Sequence, residues 1–408
     1  MKNILKQTSW LFAAQSLTRV IGFFYTVFLA RVLGVSDFGL YTVALAYFAI
    51  ISSVADLGFN RFLIREVAKD RGKASQLLWN ISLLRLTLTS VLFAIFAVGL
   101  YILDADKMRV GLILLATLAI LPQAIALTFD AIFVGMQKLQ FSAISLFISS
   151  LATAALGFYL VNKGFGPMGA VNALIFGQVI YVIFLLYFLF KNEKPVLSVI
   201  NLTIIKKIMI GSLPYGLLGI LGLLYFRIDT ILLSYLRGNF ETGIYGAAYK
   251  FLESIIFIPG AFSLALFPVL ARFHDENRGE MKKLYFKSLK LMGAVGMILF
   301  LVYILILPEV IRLFLPNYLQ AIEAVRILSL AIPFIFLATP GVQVLFSSEK
   351  YLKTVILLSL FTLGFNVILN LIFIPKFGFI AASWITVASE ILSFFVFFLF
   401  IKRKIFIQ

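Results

Sequence analysis

The sequence has no cysteine and a single histidine, His274. Without cysteine the chain can form neither a disulfide nor a thiolate metal site, and a histidine-based metal site or a Ser/His/Asp triad would depend on that one histidine. It also has no glycine motif of the kind that cradles a nucleotide phosphate, so ATP is not expected to drive it directly. We therefore expect no metal, no cofactor and no enzymatic activity.

Charged residues are also scarce. They make up 13% of the 408 residues, whereas 62% are hydrophobic, and the mean hydropathy is +1.06. A soluble globular domain carries about 25% charged residues, so the composition excludes that class and predicts an integral membrane protein. In a soluble protein the net charge of +17 would suggest a nucleic-acid partner, but in a membrane protein the positions of the charges report orientation. We expect no nucleic-acid partner.

Twelve apolar windows are each long enough to cross a bilayer, which takes about 20 residues. Because the windows are continuously apolar and do not alternate, and because a spanning segment must satisfy its own backbone hydrogen bonds, they predict helices and not strands. The predicted fold class is all-α integral membrane with twelve transmembrane helices. We number these spans 1 to 12: 9–33, 39–59, 77–102, 110–135, 141–161, 168–190, 209–235, 243–270, 288–315, 324–347, 354–374 and 379–401.

Lysine and arginine concentrate in alternate connections between the spans. Of the 35 basic residues, 23 are assigned to the termini or even-numbered connections, 7 to odd-numbered connections and 5 to spans. Arg31, Lys290 and Arg312 lie at the ends of spans and are counted with the adjoining connections. Cytoplasmic loops of membrane proteins carry the excess of basic residues. The distribution predicts a multi-pass protein of the inner or plasma membrane, in contact with membrane lipid, with both termini in the cytoplasm.

The chain contains an internal repeat. DFGLYTVALAY from Asp37 resembles ETGIYGAAYKF from Glu241, and FGPMGA from Phe165 resembles FGFIAA from Phe377. The repeat relates two halves of six spans, and since six is even, both halves enter the membrane from the same side. This predicts a parallel repeat with a pseudo-twofold axis along the membrane normal. The expected organisation is a six-helix lobe over 1–190, a cytoplasmic linker over 191–207 and a six-helix lobe over 208–408.

Five cations interrupt the predicted spans: Arg19, Arg85, Arg227, Lys250 and Arg326. Each would cost about 2.5–3.5 kcal/mol at the centre of a bilayer, so we expect them to face protein or water. One interpretation is a set of internal ion pairs, for which Lys250 and Glu253 have the required i, i+3 spacing. The other is a water-filled cavity between the halves whose cations bind an anion. Arginine suits phosphate, because its planar fork donates two parallel hydrogen bonds.

The stretch LLYFRIDTILLSYL places Arg227 and Asp229 two residues apart in an otherwise apolar run. Residues two apart on a helix point about 200° away from each other and cannot pair. We therefore expect the two side chains to lie in different surroundings.

One motif favours a different class of protein. Asp104, Ala105 and Asp106 form a DxD sequence, a pattern that holds a metal and a sugar phosphate in some glycosyltransferases. Lys107 and Arg109 follow directly, which favours a solvated loop. A membrane-embedded glycosyltransferase or polymerase would also need a sizeable outer loop, and the longest outer connection is about ten residues, within 308–320. A purely structural membrane protein would not need so many charges inside its spans.

Four stretches carry a resemblance to a known family. They are FLARVLGVSDFGLYTVALAY from Phe28, ADLGFNRFLIREVAK from Ala55, IFVGMQKLQFSAI from Ile132 and LLYFRIDTILLSYLRGNFETGIYGAAYKF from Leu223. They are similar to the Wzx-type polysaccharide-biosynthesis flippases of the multidrug/oligosaccharidyl-lipid/polysaccharide exporter superfamily. The similarity in segment order, span number and halves covers nearly the whole chain.

The resemblance implies a flippase that moves a polyprenyl-diphosphate-linked oligosaccharide, such as an O-antigen unit, from the cytoplasmic to the outer leaflet by alternating access. It also implies that basic residues of spans 1, 7 and 8 bind the substrate: Arg19, Arg31, Arg227 and Lys250. Carboxylates in such interiors can bind Na+ or H+, which makes Asp229 and Glu253 the candidates for ion coupling. The alternative is a cation-coupled drug or metabolite exporter of the same superfamily. Those exporters favour acidic interiors, and the excess of cations within the spans argues against that alternative.

Overall fold

The computed structural model describes residues 2–193, 195–196 and 198–406. Lys194, part of the predicted linker and of the basic-residue pattern, lies outside these residues. The described chain consists of fifteen α-helices with short 3-10 and π segments and has no β-strand. The expectation of an all-α protein is confirmed.

The helices follow the predicted apolar windows, because a helix satisfies its own backbone hydrogen bonds where no water is available. Those of the first part of the chain are α1 (Lys2–Leu33), α2 (Val35–Asp56), α3 (Phe59–Lys69), α4 (Ala74–Leu103), α5 (Lys107–Leu118), α6 (Ile120–Gly135), α7 (Leu139–Leu160) and α8 (Gly166–Asn192). They are followed by α9 (Leu202–Arg237), α10 (Asn239–Ile255), α11 (Phe257–Glu276), α12 (Arg278–Phe314), α13 (Ala321–Ser329), α14 (Ile332–Phe346) and α15 (Leu352–Lys404).

Helix lengths agree with twelve crossings. In the described part of the chain, nine continuous helical stretches are long and apolar enough to cross a membrane, and α13 with α14 makes a tenth, bent by 41°. Two of the stretches, 139–192 and 352–404, contain 54 and 53 residues, about twice the length of one crossing. Each is broken near its middle by a glycine with positive φ, Gly164 and Gly378 respectively. Each therefore holds two of the predicted spans.

The internal repeat is also present in the backbone. Gly34 before α2 has φ 77° and ψ 173°, and Gly238 before α10 has φ 85° and ψ −177°. Gly166 at the start of α8 has φ 55° and ψ −144°, and Gly378 within α15 has φ 58° and ψ −138°. Only glycine adopts such conformations without strain. At equivalent points the two halves thus share both the sequence motif and the backbone conformation of the glycine.

An acidic residue lies beside Gly166 and another lies beside Gly378. In the second half, Glu241 accepts a hydrogen bond from the backbone N–H of Phe379 at 2.9 Å and another from Nε of Arg237 at 2.7 Å. The equivalent acid in the first half is Asp37, which lies near Gly166. There the residue after the glycine is Pro167, which has no N–H to donate. The hydrogen bond to the acid from the backbone N–H that follows the glycine is therefore specific to the second half.

The chain forms two compact units, Met1–Leu223 and Leu224–Gln408. The boundary lies within α9, beyond the predicted linker at 191–207. In the first unit the linker is held against α4, where the indole of Trp79 donates to the carbonyl of Val196 at 3.0 Å. The division into lobes 1–190 and 208–408 remains a prediction.

The break between α2 and α3 packs closely against the start of α9 in the first unit. Gly58 has φ 80°, and a Cβ placed there would lie 2.5 Å from the carbonyl oxygen of Ser212 and 2.6 Å from the backbone nitrogen of Gly216. Both atoms belong to the backbone and cannot rotate away. A side chain at this position therefore needs both a strained backbone and a displaced helix.

We expect Gly58→Ala to destabilise the protein by about 2–5 kcal/mol, of which about 1–3 comes from the left-handed backbone and the rest from the displaced helix. The control is Gly34→Ala, because Gly34 also has a positive φ but has no atom within 4 Å of its added Cβ. Thermal unfolding in detergent should show a larger decrease for Gly58→Ala. Equal decreases for both variants would contradict the close contact with α9.

Candidate functional site

Three charged side chains of α9 and α10 form a cluster in the second unit. One carboxylate oxygen of Glu253 accepts a hydrogen bond from Nη2 of Arg227 at 2.5 Å, and the other accepts one from Nζ of Lys250 at 2.8 Å. The side chains of Arg227, Lys250 and Glu253 are 17%, 26% and 34% exposed. We call these three residues the cation cluster. These three residues by themselves carry a net positive charge, and two further buried carboxylates of the same unit, Asp229 and Glu390, lie outside the cluster.

The cluster combines an expected and an unexpected contact. The sequence spacing predicts the pair between Lys250 and Glu253, and the structure contains it. The contact of Arg227 with Glu253 joins two helices and is not visible in the spacing. Nε of Arg227 is buried and makes no hydrogen bond within the described part of the chain. One donor of the arginine fork is therefore unused.

Asp229 lies in a different environment from Arg227, as their spacing predicts. It is 4% exposed, and its partners are neutral. The hydroxyls of Thr386 and Tyr245 donate to Oδ2 at 3.0 and 3.2 Å, and Nδ2 of Asn370 donates to Oδ1 at 2.8 Å. Burial of a carboxylate is costly unless hydrogen bonds or a cation compensate it.

One oxygen next to Asp229 lacks a donor. Asn370 is fully buried, and its Nδ2 also contacts the carbonyl and the side-chain oxygen of Asn366 at 3.0 Å. Its own Oδ1 makes no hydrogen bond among the described residues. Buried acceptors without a donor are rare in proteins and call for an explanation. A carboxylate beside uncharged side-chain oxygens is the donor set that alkali and other hard cations prefer.

The two asparagines and the threonine around Asp229 were not among the residues singled out from the sequence. Asn366 and Asn370 are four residues apart in FNVILNLIF, so they lie on one face of an apolar span. This is the signal that would have identified them, because polar residues at i, i+4 inside a span generally face protein. Thr386 lies on the other side of Gly378 in α15, and its contact with Asp229 depends on the fold.

Arg19 and Arg31 lie on α1 in the first unit, and both are exposed. The cation cluster belongs to the second unit, so the structure describes these two sets of candidate residues separately. Their assignment to substrate binding remains a prediction.

Another cation within the spans belongs to an internal ion pair. Arg85 of α4 is 1% exposed and pairs with Asp56 at the end of α2. It also donates to the hydroxyl of Thr128 at 3.2 Å. The pair joins α2 and α4, so it holds two helices of the first unit together. The ion-pair interpretation therefore applies to Arg85.

The DxD sequence is occupied by local structure. Asp106 accepts the backbone N–H of Met108 and of Arg109 at 3.1 Å, so it caps α5. Asp104 receives both Nε and Nη2 of Arg109 at 2.7 Å. Each carboxylate is held by donors of its own loop, which removes the reason to consider a glycosyltransferase metal site there.

Comparison with known proteins identifies the family. The model of the family described as polysaccharide biosynthesis protein matches residues 4–274, more than half of the chain. The chain belongs to the polysaccharide biosynthesis protein family. A second family model, MatE, matches residues 214–372. The resemblance found in the sequence is therefore confirmed.

Individual relatives agree with this family. The chain is 27% identical to a putative O-antigen transporter of Shigella flexneri over 71% of each chain. It is 24% identical to an uncharacterized membrane protein of Methanocaldococcus jannaschii over 95% of this chain and 81% of the relative. The protein is thus a multi-pass membrane protein related to transporters.

Solved structures show the same fold. The lipid II flippase MurJ in an inward closed conformation matches with a TM-score of 0.71 and 17% identity. The match covers 96% of the present chain and 87% of MurJ. An outward-facing multidrug resistance MATE transporter of the MOP superfamily matches with a TM-score of 0.70 and 17% identity, covering 100% and 96% of the two chains. These matches confirm the predicted fold, an all-α bundle of twelve spans.

Proposed function

We propose that the protein is a flippase that moves a polyprenyl-diphosphate-linked oligosaccharide from the cytoplasmic to the outer leaflet of the inner or plasma membrane. The observation that carries the proposal is the cation cluster, in which Arg227 and Lys250 converge inside an apolar helix bundle. Two cations at one point suit a diphosphate, and the apolar bundle suits the hydrocarbon chain attached to it. Arg19 and Arg31 of α1 are further candidates for contacts with the head group.

Orientation follows from the basic residues. With 23 of 35 lysines and arginines at the termini and in even-numbered connections, the N- and C-termini are cytoplasmic. A glycan assembled in the cytoplasm then meets the protein from its basic side. Movement across the membrane occurs by alternating access.

The coupling ion, Na+ or H+, binds at Asp229. Support comes from the neutral partners of its carboxylate and from the donor-free oxygen of Asn370 beside it. A monovalent cation at this point would compensate the buried carboxylate and would satisfy the asparagine oxygen. Glu253 is a weaker candidate for the same role, because both of its oxygens already contact cations.

The second candidate function is export of a drug or metabolite, which is favoured by the fold shared with MATE transporters. The net positive charge of the cation cluster disfavours an organic cation as cargo, because like charges repel strongly in a low dielectric. The two functions therefore predict substrates of opposite charge.

Reconstitution in liposomes tests the two functions against each other. The probe is a fluorescent polyprenyl-diphosphate oligosaccharide, and the measurement is the rate at which its head group becomes protected from an external quencher. Protein-dependent flipping at a rate well above that of empty liposomes supports the flippase. Uptake or efflux of an organic cation with no flipping of the glycolipid would instead support the exporter.

A further inference from the structure

Glu253 is bound in an unusual way for a carboxylate opposite an arginine. Its two oxygens go to two different cations, Arg227 at 2.5 Å and Lys250 at 2.8 Å. Two oxygens on one central atom that bridge two cations are also what a phosphate group presents. Like one phosphate of a diphosphate, Glu253 therefore presents two oxygens and a negative charge at the point where the two cations meet.

The arginine fork is only half filled by this carboxylate. Nη2 of Arg227 contacts Glu253, whereas its Nε is buried and has no partner among the described residues. Elsewhere in the same chain the fork of Arg109 is filled, because Nε and Nη2 each contact one oxygen of Asp104 at 2.7 Å. Glu253 cannot fill the fork of Arg227 in this way while its second oxygen contacts Lys250. A phosphate has a further oxygen and can contact both donors of the fork as well as the lysine.

All three side chains of the cation cluster are partly accessible to solvent, whereas the arginine of the pair with Asp56, Arg85, is not. The side chains of Glu253, Lys250 and Arg227 are 34%, 26% and 17% exposed. In the pair of Arg85 and Asp56 the carboxylate is 26% exposed, but the arginine is only 1% exposed. A displaced glutamate can therefore turn towards solvent and keep its charge hydrated. A diphosphate carries more negative charge than one carboxylate, so two cations in a low dielectric attract it more strongly.

We propose that Glu253 is a stand-in for the substrate phosphate: it occupies the seat between Arg227 and Lys250 in the empty transporter and is displaced when a diphosphate binds. This inference rests on the proposed function for the identity of the anion. In this proposal Glu253 competes with the substrate for the two cations and does not serve to position them. While no diphosphate is bound, the carboxylate compensates part of the charge of the two cations, and it lowers the apparent affinity for the diphosphate.

The two roles of Glu253 predict effects of opposite sign when it is replaced. If the carboxylate competes with the phosphate, Glu253→Gln frees the seat, and the dissociation constant for a diphosphate falls by about tenfold, corresponding to a seat that is occupied by the carboxylate about nine-tenths of the time. If the carboxylate only positions the cations, the same variant binds the diphosphate more weakly. The sign of the change therefore decides between the roles.

The test uses the full chain in detergent and water-soluble geranyl diphosphate as the probe, with geraniol as the tail-only control. The matched control variant is Glu241→Gln, because Glu241 lies on the same helix, α10, and also pairs with an arginine of α9, Arg237. We expect Glu253→Gln to tighten geranyl diphosphate binding about tenfold and Glu241→Gln to leave it unchanged. Unchanged or weaker binding by Glu253→Gln would overturn the inference.

A second variant keeps the test decisive if Glu253→Gln folds poorly. Glu253→Asp keeps the charge, but its shorter side chain cannot bridge both cations, so its affinity for geranyl diphosphate should lie between those of the wild type and Glu253→Gln. An affinity at or below that of the wild type in folded Glu253→Asp would overturn the inference. The proposed function fails separately, if the wild type binds geranyl diphosphate but moves no lipid-linked glycan in liposomes.

Discussion

Replacement of Arg227 with alanine is expected to slow flipping of the polyprenyl-diphosphate oligosaccharide by about 10- to 100-fold. A hydrogen bond to a charged group contributes about 1.5–3 kcal/mol, and each 1.4 kcal/mol corresponds to about a factor of ten. Arg227 offers Nη2, which now contacts Glu253, and the unused Nε. Alanine removes both donors and leaves Lys250 as the remaining cation of the cluster. The measurement is the initial flipping rate in liposomes at equal amounts of reconstituted protein.

Two further variants separate the site from the general effect of losing an arginine. Arg227→Lys keeps the charge but has no fork, so its rate should lie between those of the wild type and Arg227→Ala. Arg237→Ala removes an arginine of the same helix that also pairs with a glutamate of α10. Its rate should fall by less than about fivefold, because an exposed ion pair contributes at most about 1 kcal/mol. Equal rates for the wild type, Arg227→Ala and Arg227→Lys would exclude Arg227 from substrate binding.

The second large effect is expected from Asp229→Asn, which should make flipping independent of the ion gradient. Coupling between two ligands is typically 1–3 kcal/mol, so the coupling gradient should accelerate the wild type by about 5- to 150-fold. The oxygen of asparagine can accept from Nδ2 of Asn370, and its NH2 group can donate to the hydroxyl oxygens of Tyr245 and Thr386, which now donate to Asp229, so the variant is expected to fold. It lacks the negative charge that binds the cation. The ratio of initial rates with and without an imposed Na+ or H+ gradient should therefore fall to about one.

The matched control for this variant is Asp130→Asn, which neutralises a carboxylate within a span of the first unit. Its gradient ratio should equal that of the wild type. The imposed gradients are tested one at a time, so the ion to which the wild type responds is identified in the same experiment. A full gradient response in Asp229→Asn would show that the coupling ion binds elsewhere.

The fold could be predicted from the sequence because its main features are local. An apolar run of about 20 residues forms a helix in a bilayer whatever its neighbours are. The repeated motifs beginning at Asp37 and Glu241 likewise revealed the duplication without any contact information. What the apolar windows missed are the places where one helix passes into the next without a loop. Spans 11 and 12 belong to a single 53-residue helix, α15, whose break depends on the backbone of Gly378.

The candidate site could be predicted only in part, because ion pairs within one helix follow from spacing whereas pairs between helices do not. The i, i+3 pair of Lys250 and Glu253 is an example of the first kind, and Arg227 with Glu253 is an example of the second. Spacing also predicted that Arg227 and Asp229 face different surroundings. It gave no indication that Thr386, more than 150 positions later, donates to the same carboxylate.

The boundary of the two compact units within α9 has a consequence for anyone who wishes to divide this protein into two polypeptides. The duplicated sequence suggests a cut in the linker, but such a cut would assign residues 202–223 to the second fragment, although they form part of the first compact unit and cover Gly58. A cut at residue 223 would instead expose two new helix ends in the middle of a membrane-crossing helix, where no water can satisfy them. The internal repeat of the sequence and the first compact unit therefore end at different residues. Fragment complementation should therefore succeed only when both fragments are synthesised together.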